Sequence, residues 1–166
     1  SLNSVEYEIM PDRIEIGTLL CAATITKGNI TIKNIRIEHL IPVIYKLEEM
    51  GCKIDLKENE IKLQAKDKLN ACNIKTMPYP GFPTDMQPIM GAVLGVSKGT
   101  SLIVENIFEN RYKYLSELKR MGAKTTVEGK TAIIKGIRRY TPAKVEATDL
   151  RGGAALILAA LNAGGT

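Results

Sequence analysis

Three stretches of this chain are apolar nearly all the way round, at residues 14–25, 86–96 and 154–161. A surface helix keeps a polar face, so stretches lacking one predict helices buried inside the molecule. Elsewhere the pattern is one-sided. Leu40, Val43, Ile44 and Leu47, and later Leu115 and Leu118, recur at helical spacing opposite Lys46, Glu48, Glu49, Lys113, Glu117 and Arg120. These predict two half-solvated helices, the first opened by His39. Alternating runs at 53–56 with 61–63, and at 125–127 with 132–134, predict hairpins turning at Glu58-Asn59 and Glu128-Gly129-Lys130. β-branched runs at 30–32 and 101–104 predict a strand after each of the first two buried helices. Extended segments at 5–9, 74–77 and 144–147 lead into all three. Asp12 with Glu15, and Thr84 with Gln87, fit capping boxes.

The order of these elements repeats. Leu47-Glu-Glu-Met-Gly-Cys-Lys53 returns as Leu118-Lys-Arg-Met-Gly-Ala-Lys124, 71 positions on, and Lys27-Gly28 returns as Lys98-Gly99 at the same offset. Asp12 and Asp85 open the first two buried helices, and Asp149 opens a third, 137 positions after Asp12. The same 137 separates Gly28 from Gly165. A fixed period of this kind marks a repeated supersecondary unit. The expectation is an α+β (mixed α/β) chain of βαβαββ units over residues 5–72, 73–142 and 143–166, the third incomplete. A unit cut there would leave apolar surface and a sheet edge uncovered, so the chain is expected to be part of a longer one.

Composition narrows the class. Of 166 residues, 45% are apolar and 25% charged, which excludes a disordered tail, a collagen repeat and a coiled coil. The longest apolar run, 154–161, is eight residues, against the roughly 18 a membrane span requires. With no charged-then-apolar leader, a cytoplasmic location away from membranes is expected. Lys and Arg outnumber Asp and Glu by 23 to 18, a balance that suits either a solvated lysine-rich surface or a protein handling anions. Cys21, Cys52 and Cys72 are odd in number and widely spaced, so they read as reduced thiols in or near the core rather than disulfides or zinc ligands. The lone histidine, His39, has no ligand-spaced partner, and no metal or cofactor is expected.

Candidate chemistry gathers at the helix starts. A carboxylate there can cap the helix, worth about 1 kcal/mol, or be held to take a proton from a substrate hydroxyl. The stiff lead-in Tyr79-Pro-Gly-Phe-Pro83 sets Asp85 apart from Asp12 and Asp149. The segment Glu105-Asn-Ile-Phe-Glu-Asn-Arg111 ends on an arginine near a helix start, which either binds an anion or pairs with Glu105 or Glu109. Gly152 and Gly153 allow close helix packing or close approach of a ligand.

Tyr79-Pro-Gly-Phe-Pro-Thr-Asp-Met-Gln87, Glu109-Asn-Arg111, Glu117-Leu-Lys-Arg-Met-Gly-Ala123 and Ala147-Thr-Asp-Leu-Arg151 closely resemble the UDP-N-acetylglucosamine enolpyruvyl transferase family of peptidoglycan synthesis. Pro11-Asp-Arg-Ile-Glu-Ile-Gly-Thr18 is similar to it as well. The resemblance implies domains of three βαβαββ units in an inverse α/β barrel, helices inside and sheets outside. It implies UDP-N-acetylglucosamine and phosphoenolpyruvate as substrates, and neither nucleic acid nor a cofactor. By motif, Asp85 matches the residue that contacts and deprotonates the sugar 3-hydroxyl. Ile107 matches a backbone contact to the UDP-sugar, and Arg111 an arginine lining the reaction site. Asp149 and Arg151 match a pair there, Asp149 assisting proton transfer. Asp12 and Arg13 match an inter-domain cleft position. The family's Lys-Asn pair, its arginine-rich loop bearing the acid cysteine and a late arginine have no counterpart in these 166 residues. The isolated chain is therefore not expected to turn over without the remaining domain of its parent. Alternatives are the sister 5-enolpyruvylshikimate-3-phosphate synthases and an RNA-binding βαβαββ module. The RNA module lacks aromatic platforms, with two Phe, six Tyr and no Trp.

Overall fold

The computed structural model describes residues 3–164. It runs α1 (Arg13–Ile25), β1 (Asn29–Lys33), α2 (Ile41–Glu49), β2 (Lys53–Lys57) and β3 (Glu60–Gln64). It continues through β4 (Ile74–Lys75), α3 (Gln87–Leu94), β5 (Thr100–Val104), α4 (Lys113–Arg120), β6 (Lys124–Glu128), β7 (Thr131–Lys135) and α5 (Leu150–Ala163). Short 3-10 turns at Ile37–His39 and Thr84–Met86 precede α2 and α3. The sequence α1-β1-α2-β2-β3 thus recurs as α3-β5-α4-β6-β7.

Both hairpins turn in two residues, and in each the central strand carries the alternation. Ile61 and Leu63 of β3 are buried while Lys62 and Gln64 are exposed, and Ala132 and Ile134 of β7 are likewise buried. β3 lies antiparallel between β1 and β2, with Ile30 opposite Leu63. The second sheet is ordered β4-β5-β7-β6, with β4 parallel to β5 and the rest antiparallel.

All eight residues of α3 are buried, as an all-round apolar pattern requires. It packs on α5 and α1, which also pack on each other. Each fully buried Leu, Ile or Met side chain in this bundle contributes about 1.5–3 kcal/mol. Tyr114 of α4 drives between α3 and α5, where Gly91 and Gly152 leave it room. A Cβ on Gly91 would strike the Tyr114 ring, and one on Gly152 would lie 3.2 Å from the Tyr114 Cβ. A Cβ on Gly153 would meet Ala147 at 3.2 Å, so both α5 glycines face protein. The three cysteines are buried and free. Burial pushes all three thiols up, Cys72 to about 11, so none is a ready thiolate.

Several expectations shift in detail. Of the three lead-in segments only 74–75 pairs as a strand; 5–9 and 144–147 carry no ladder among the described residues. The β4 region is tied down by side chains as well as by β5. Asn73 Oδ1 accepts from the Leu102 N–H at 2.9 Å, and the Thr76 N–H donates to the Val104 carbonyl at 2.9 Å. Among the described residues, 5–9 have no such ties, and Val5 and Ile9 stay exposed. The second buried helix ends at Leu94 rather than 96, and His39 closes a 3-10 turn instead of opening α2. Gly165, which marks the end of the third copy, lies outside the described residues. Among those described, no helix is long and apolar enough to cross a membrane.

Candidate active site

The three aspartates part company here. Asp12 caps α1, its Oδ1 accepting from the Ile14 N–H at 2.7 Å, with no reciprocal bond from Glu15. Asp149 caps α5, Oδ1 accepting from the Gly152 N–H at 2.8 Å while Oδ2 takes the Thr148 hydroxyl at 3.3 Å. Asp85 caps nothing. It sits inside the 3-10 turn that Pro83 leads into, and Thr84 makes no capping bond either. The capping box read at Thr84 and Gln87 is therefore absent, because the Thr84 hydroxyl is used elsewhere.

Asp85 faces two arginines. Arg111 Nη2 donates to its Oδ1 at 2.6 Å, and Arg151 Nη2 donates to its Oδ2 at 3.1 Å. Arg111 reaches it from the loop before α4, and Arg151 from the first turn of α5. Of the two alternatives read for Arg111, pairing with Glu105 or Glu109 does not form. Arg111 instead also donates Nη1 to the Thr84 hydroxyl oxygen at 3.1 Å and lies 5.0 Å from the centre of the Phe108 ring. Burial by itself would raise the Asp85 carboxyl, but the Arg111 hydrogen bond and the charges of Arg151 and Arg111 outweigh it and hold the group below its ordinary value of 3.8.

A cleft of about 410 Å³ opens beside this cluster, lined by Arg13, Thr84, Asp85, Ile107 and Phe108 among others. Arg13 stands over the Tyr79 ring at 5.3 Å, and Tyr79 meets His39 edge-on with centroids 6.3 Å apart. Asp12, Arg13, His39 and Tyr79 border an adjoining space of about 340 Å³. A larger hollow of about 820 Å³ lies across the 105–113 loop and shares Ile107 and Phe108 with the cleft. Its charged lining is Glu105, Glu109, Lys113 and Lys130, with neither Asp85 nor an arginine, so the carboxylate–guanidinium cluster lies at the smaller one. Asp85, Arg111, Arg151, Ile107 and Arg13 are thus brought to one place, while Asp12 and Asp149 are occupied at helix ends beside it. Tyr79, Thr84 and Phe108 join them without having been marked as site residues. Among the described residues no cluster of His, Cys, Asp or Glu is arranged to hold a metal ion. In a carboxylate–guanidinium cluster at a cleft the carboxylate can orient a hydroxyl while the guanidiniums meet an anion.

The chain matches the family model of EPSP synthase (3-phosphoshikimate 1-carboxyvinyltransferase) over residues 1–166. It is 51% identical over 161 residues to a UDP-N-acetylglucosamine 1-carboxyvinyltransferase of Desulfofundulus thermocisternus, covering 97% of this chain and 66% of that protein. It is 50% identical over 164 residues to UDP-N-acetylglucosamine 1-carboxyvinyltransferase 1 of Caldanaerobacter subterraneus, covering 99% and 40%. Among solved structures it is similar to the enolpyruvyl transferase NikO from Streptomyces tendae, with a TM-score of 0.80 at 27% identity over 93% of this chain and 37% of that one. It shares the fold of EPSP synthase from Acinetobacter baumannii, with a TM-score of 0.70 at 16% identity over 95% and 38%. The chain therefore spans between 40% and 66% of the length of these two curated relatives.

Proposed function

The chain belongs to the EPSP synthase family, and we propose that it forms one wall of the active site of a UDP-N-acetylglucosamine enolpyruvyl transferase. The observation that carries this reading is the Arg111-Asp85-Arg151 cluster on the cleft, in a chain about half identical to proteins bearing that name. The opposite wall belongs to the rest of a longer parent chain. In the same reading, residues 5–72 and 73–142 are two βαβαββ repeats and 143–166 opens a third. In this reading both substrates are small anions, the reaction takes place in the cytoplasm, and neither nucleic acid nor membrane takes part.

In this reaction the sugar 3-hydroxyl oxygen bonds to C2 of phosphoenolpyruvate as the methylene carbon gains a proton from an acid on the rest of the parent chain. Loss of a proton from that carbon, together with phosphate, restores the double bond. Asp85 takes the hydroxyl proton, and Arg111 and Arg151 meet the phosphate and carboxylate charges. Asp149, the cap of the helix whose first turn carries Arg151, assists the proton transfers. The Ile107 backbone contacts the UDP-sugar, and Asp12 and Arg13 line the cleft towards the second domain.

Clamped by two guanidiniums, Asp85 is a weak base. A phosphate arriving between Arg111 and Arg151 competes for their N–H groups, and each bond it takes raises the basicity of the carboxylate next to the hydroxyl. Substrate binding and base activation are thereby one event.

The test is phosphate release by the longer protein, supplied with phosphoenolpyruvate and either UDP-N-acetylglucosamine or shikimate 3-phosphate. Turnover is expected with the nucleotide sugar alone, and Asp85→Ala is expected to lower it by about 100-fold or more. Turnover with shikimate 3-phosphate, or an unaffected Asp85→Ala, would reject the reading.

A further inference from the structure

Behind the arginine cluster lies a second carboxylate, on Glu105, only 2% exposed. Among the described residues no lysine or arginine pairs with it. A buried charge without a counter-ion is costly unless donors surround it, and four do. Its Oε1 accepts from the Thr76 hydroxyl at 2.7 Å and from the Ile107 and Phe108 N–H groups at 2.8 and 3.2 Å. Its Oε2 accepts from the Thr84 hydroxyl at 3.0 Å.

These bonds have two consequences at the cleft. A hydroxyl has one proton, and Thr84 gives it to Glu105, so the Thr84 oxygen can only accept from its other neighbour, Arg111. The Arg111 fork is thereby set with Nη1 on Thr84 and Nη2 on Asp85. On the other arm, Glu105 takes the two consecutive N–H groups of the loop and fixes the peptide planes on both sides of Ile107. The repeat supplies a control. Where the second copy has Glu105, the first has Asn34, exposed and with a left-handed φ of 58°. The fold is built there without a buried carboxylate, so the fold alone does not explain the one at Glu105.

We propose that Glu105 is a positioning residue of the transfer site, setting Arg111 through Thr84 and the Ile107 backbone through the loop N–H groups. The assignment rests on the transferase reading for its kinetic meaning, but its geometry can be tested apart from it. In the longer enzyme, Thr84→Val removes only the arginine arm. It is expected to lower kcat by about 10-fold while the KM for the nucleotide sugar changes by less than about threefold. Thr84→Ser keeps the hydroxyl and is expected to recover most of that loss. Glu105→Gln weakens both arms and is expected to lower kcat by on the order of 10- to 100-fold and to raise the sugar KM as well.

On the chain itself, the Arg111 side-chain N–H signals in NMR are expected to be sharp and to broaden in Thr84→Val and Glu105→Gln. Arg111 signals unchanged in both variants would overturn the proposal whatever the enzyme's substrate. So would a Thr84→Ser loss as large as that of Thr84→Val, since the hydroxyl would then be irrelevant. An unsubstituted enzyme that fails to transfer enolpyruvate while Arg111 responds as expected would instead remove the transferase reading and leave the positioning role standing.

Discussion

Protonating Asp85 gives up two charge-assisted hydrogen bonds, from Arg111 at 2.6 Å and Arg151 at 3.1 Å. The folded-state carboxyl therefore titrates below its ordinary value of 3.8. A depressed carboxyl contributes stability that is fully present above the unfolded value and is lost as pH falls through the folded one. With 39% of the Asp85 side chain exposed, solvent screens the pair, and Asp85→Asn is expected to cost only about 0.5–1 kcal/mol near neutral pH. Urea titrations of both proteins should show that gap holding steady from pH 8 to about 5 and closing as the pH falls below the ordinary carboxyl value of 3.8. A gap that instead opens at low pH would mean that Asp85 is held in its neutral form, against the arginine geometry.

Helix α5 carries the site's second arginine in its first turn, so its cap and the Asp85 cluster share one piece of backbone. Asn caps a helix about as well as Asp. Asp149→Asn should therefore keep the stability of the chain, while Asp149→Ala should lose about 1 kcal/mol by thermal unfolding. Equal losses in both would show that charge, not the Gly152 hydrogen bond, is what Asp149 supplies. The cap was legible from the chain, because a carboxylate before an apolar run is a local signal and α1 and α5 obey it. Asp85 was marked out by its proline-rich approach, but its partners were not. They come from 26 and 66 residues away, and no local period encodes such a meeting. Thr84 was misread for the related reason that a hydroxyl at a helix start looks like a cap until a buried carboxylate across the fold claims its proton. The lead-in segments show the same limit. Their extended character is local, whereas pairing depends on a partner strand, and of the three only 74–75 lies against one, β5; a single side-chain tie such as that of the Glu146 N–H to Glu117 makes no strand. The buried helices were readable because burial on every side leaves them no polar face, and both hairpins because burial of one face imposes an alternation.

At the scale of the molecule, the site and the fastening of the core lie at opposite ends of the same three helices. Asp12, Asp85 and Arg151 stand at or before the N-terminal turns of α1, α3 and α5. Near the C-terminal ends, Asn162 of α5 accepts from the Tyr140 N–H at 3.0 Å and donates to the Ile25 carbonyl at the end of α1 at 3.3 Å. The Tyr140 hydroxyl donates to the Ala92 carbonyl of α3 at 2.8 Å. One amide thus joins α1 directly, and α3 through Tyr140, to a helix 14 residues long, a span of about 20 Å. If the helices act as one body, loosening the clasp lowers the stability of the whole without splitting its unfolding. Asn162→Ala is expected to cost about 1–2 kcal/mol, moving the urea midpoint while leaving the slope of the single transition unchanged. A reduced slope or a second transition would show α5 detaching before α1 and α3, and the Arg151 half of the Asp85 clamp would then open with it. A cost below a few tenths of a kcal/mol would place the fastening in the apolar contacts alone.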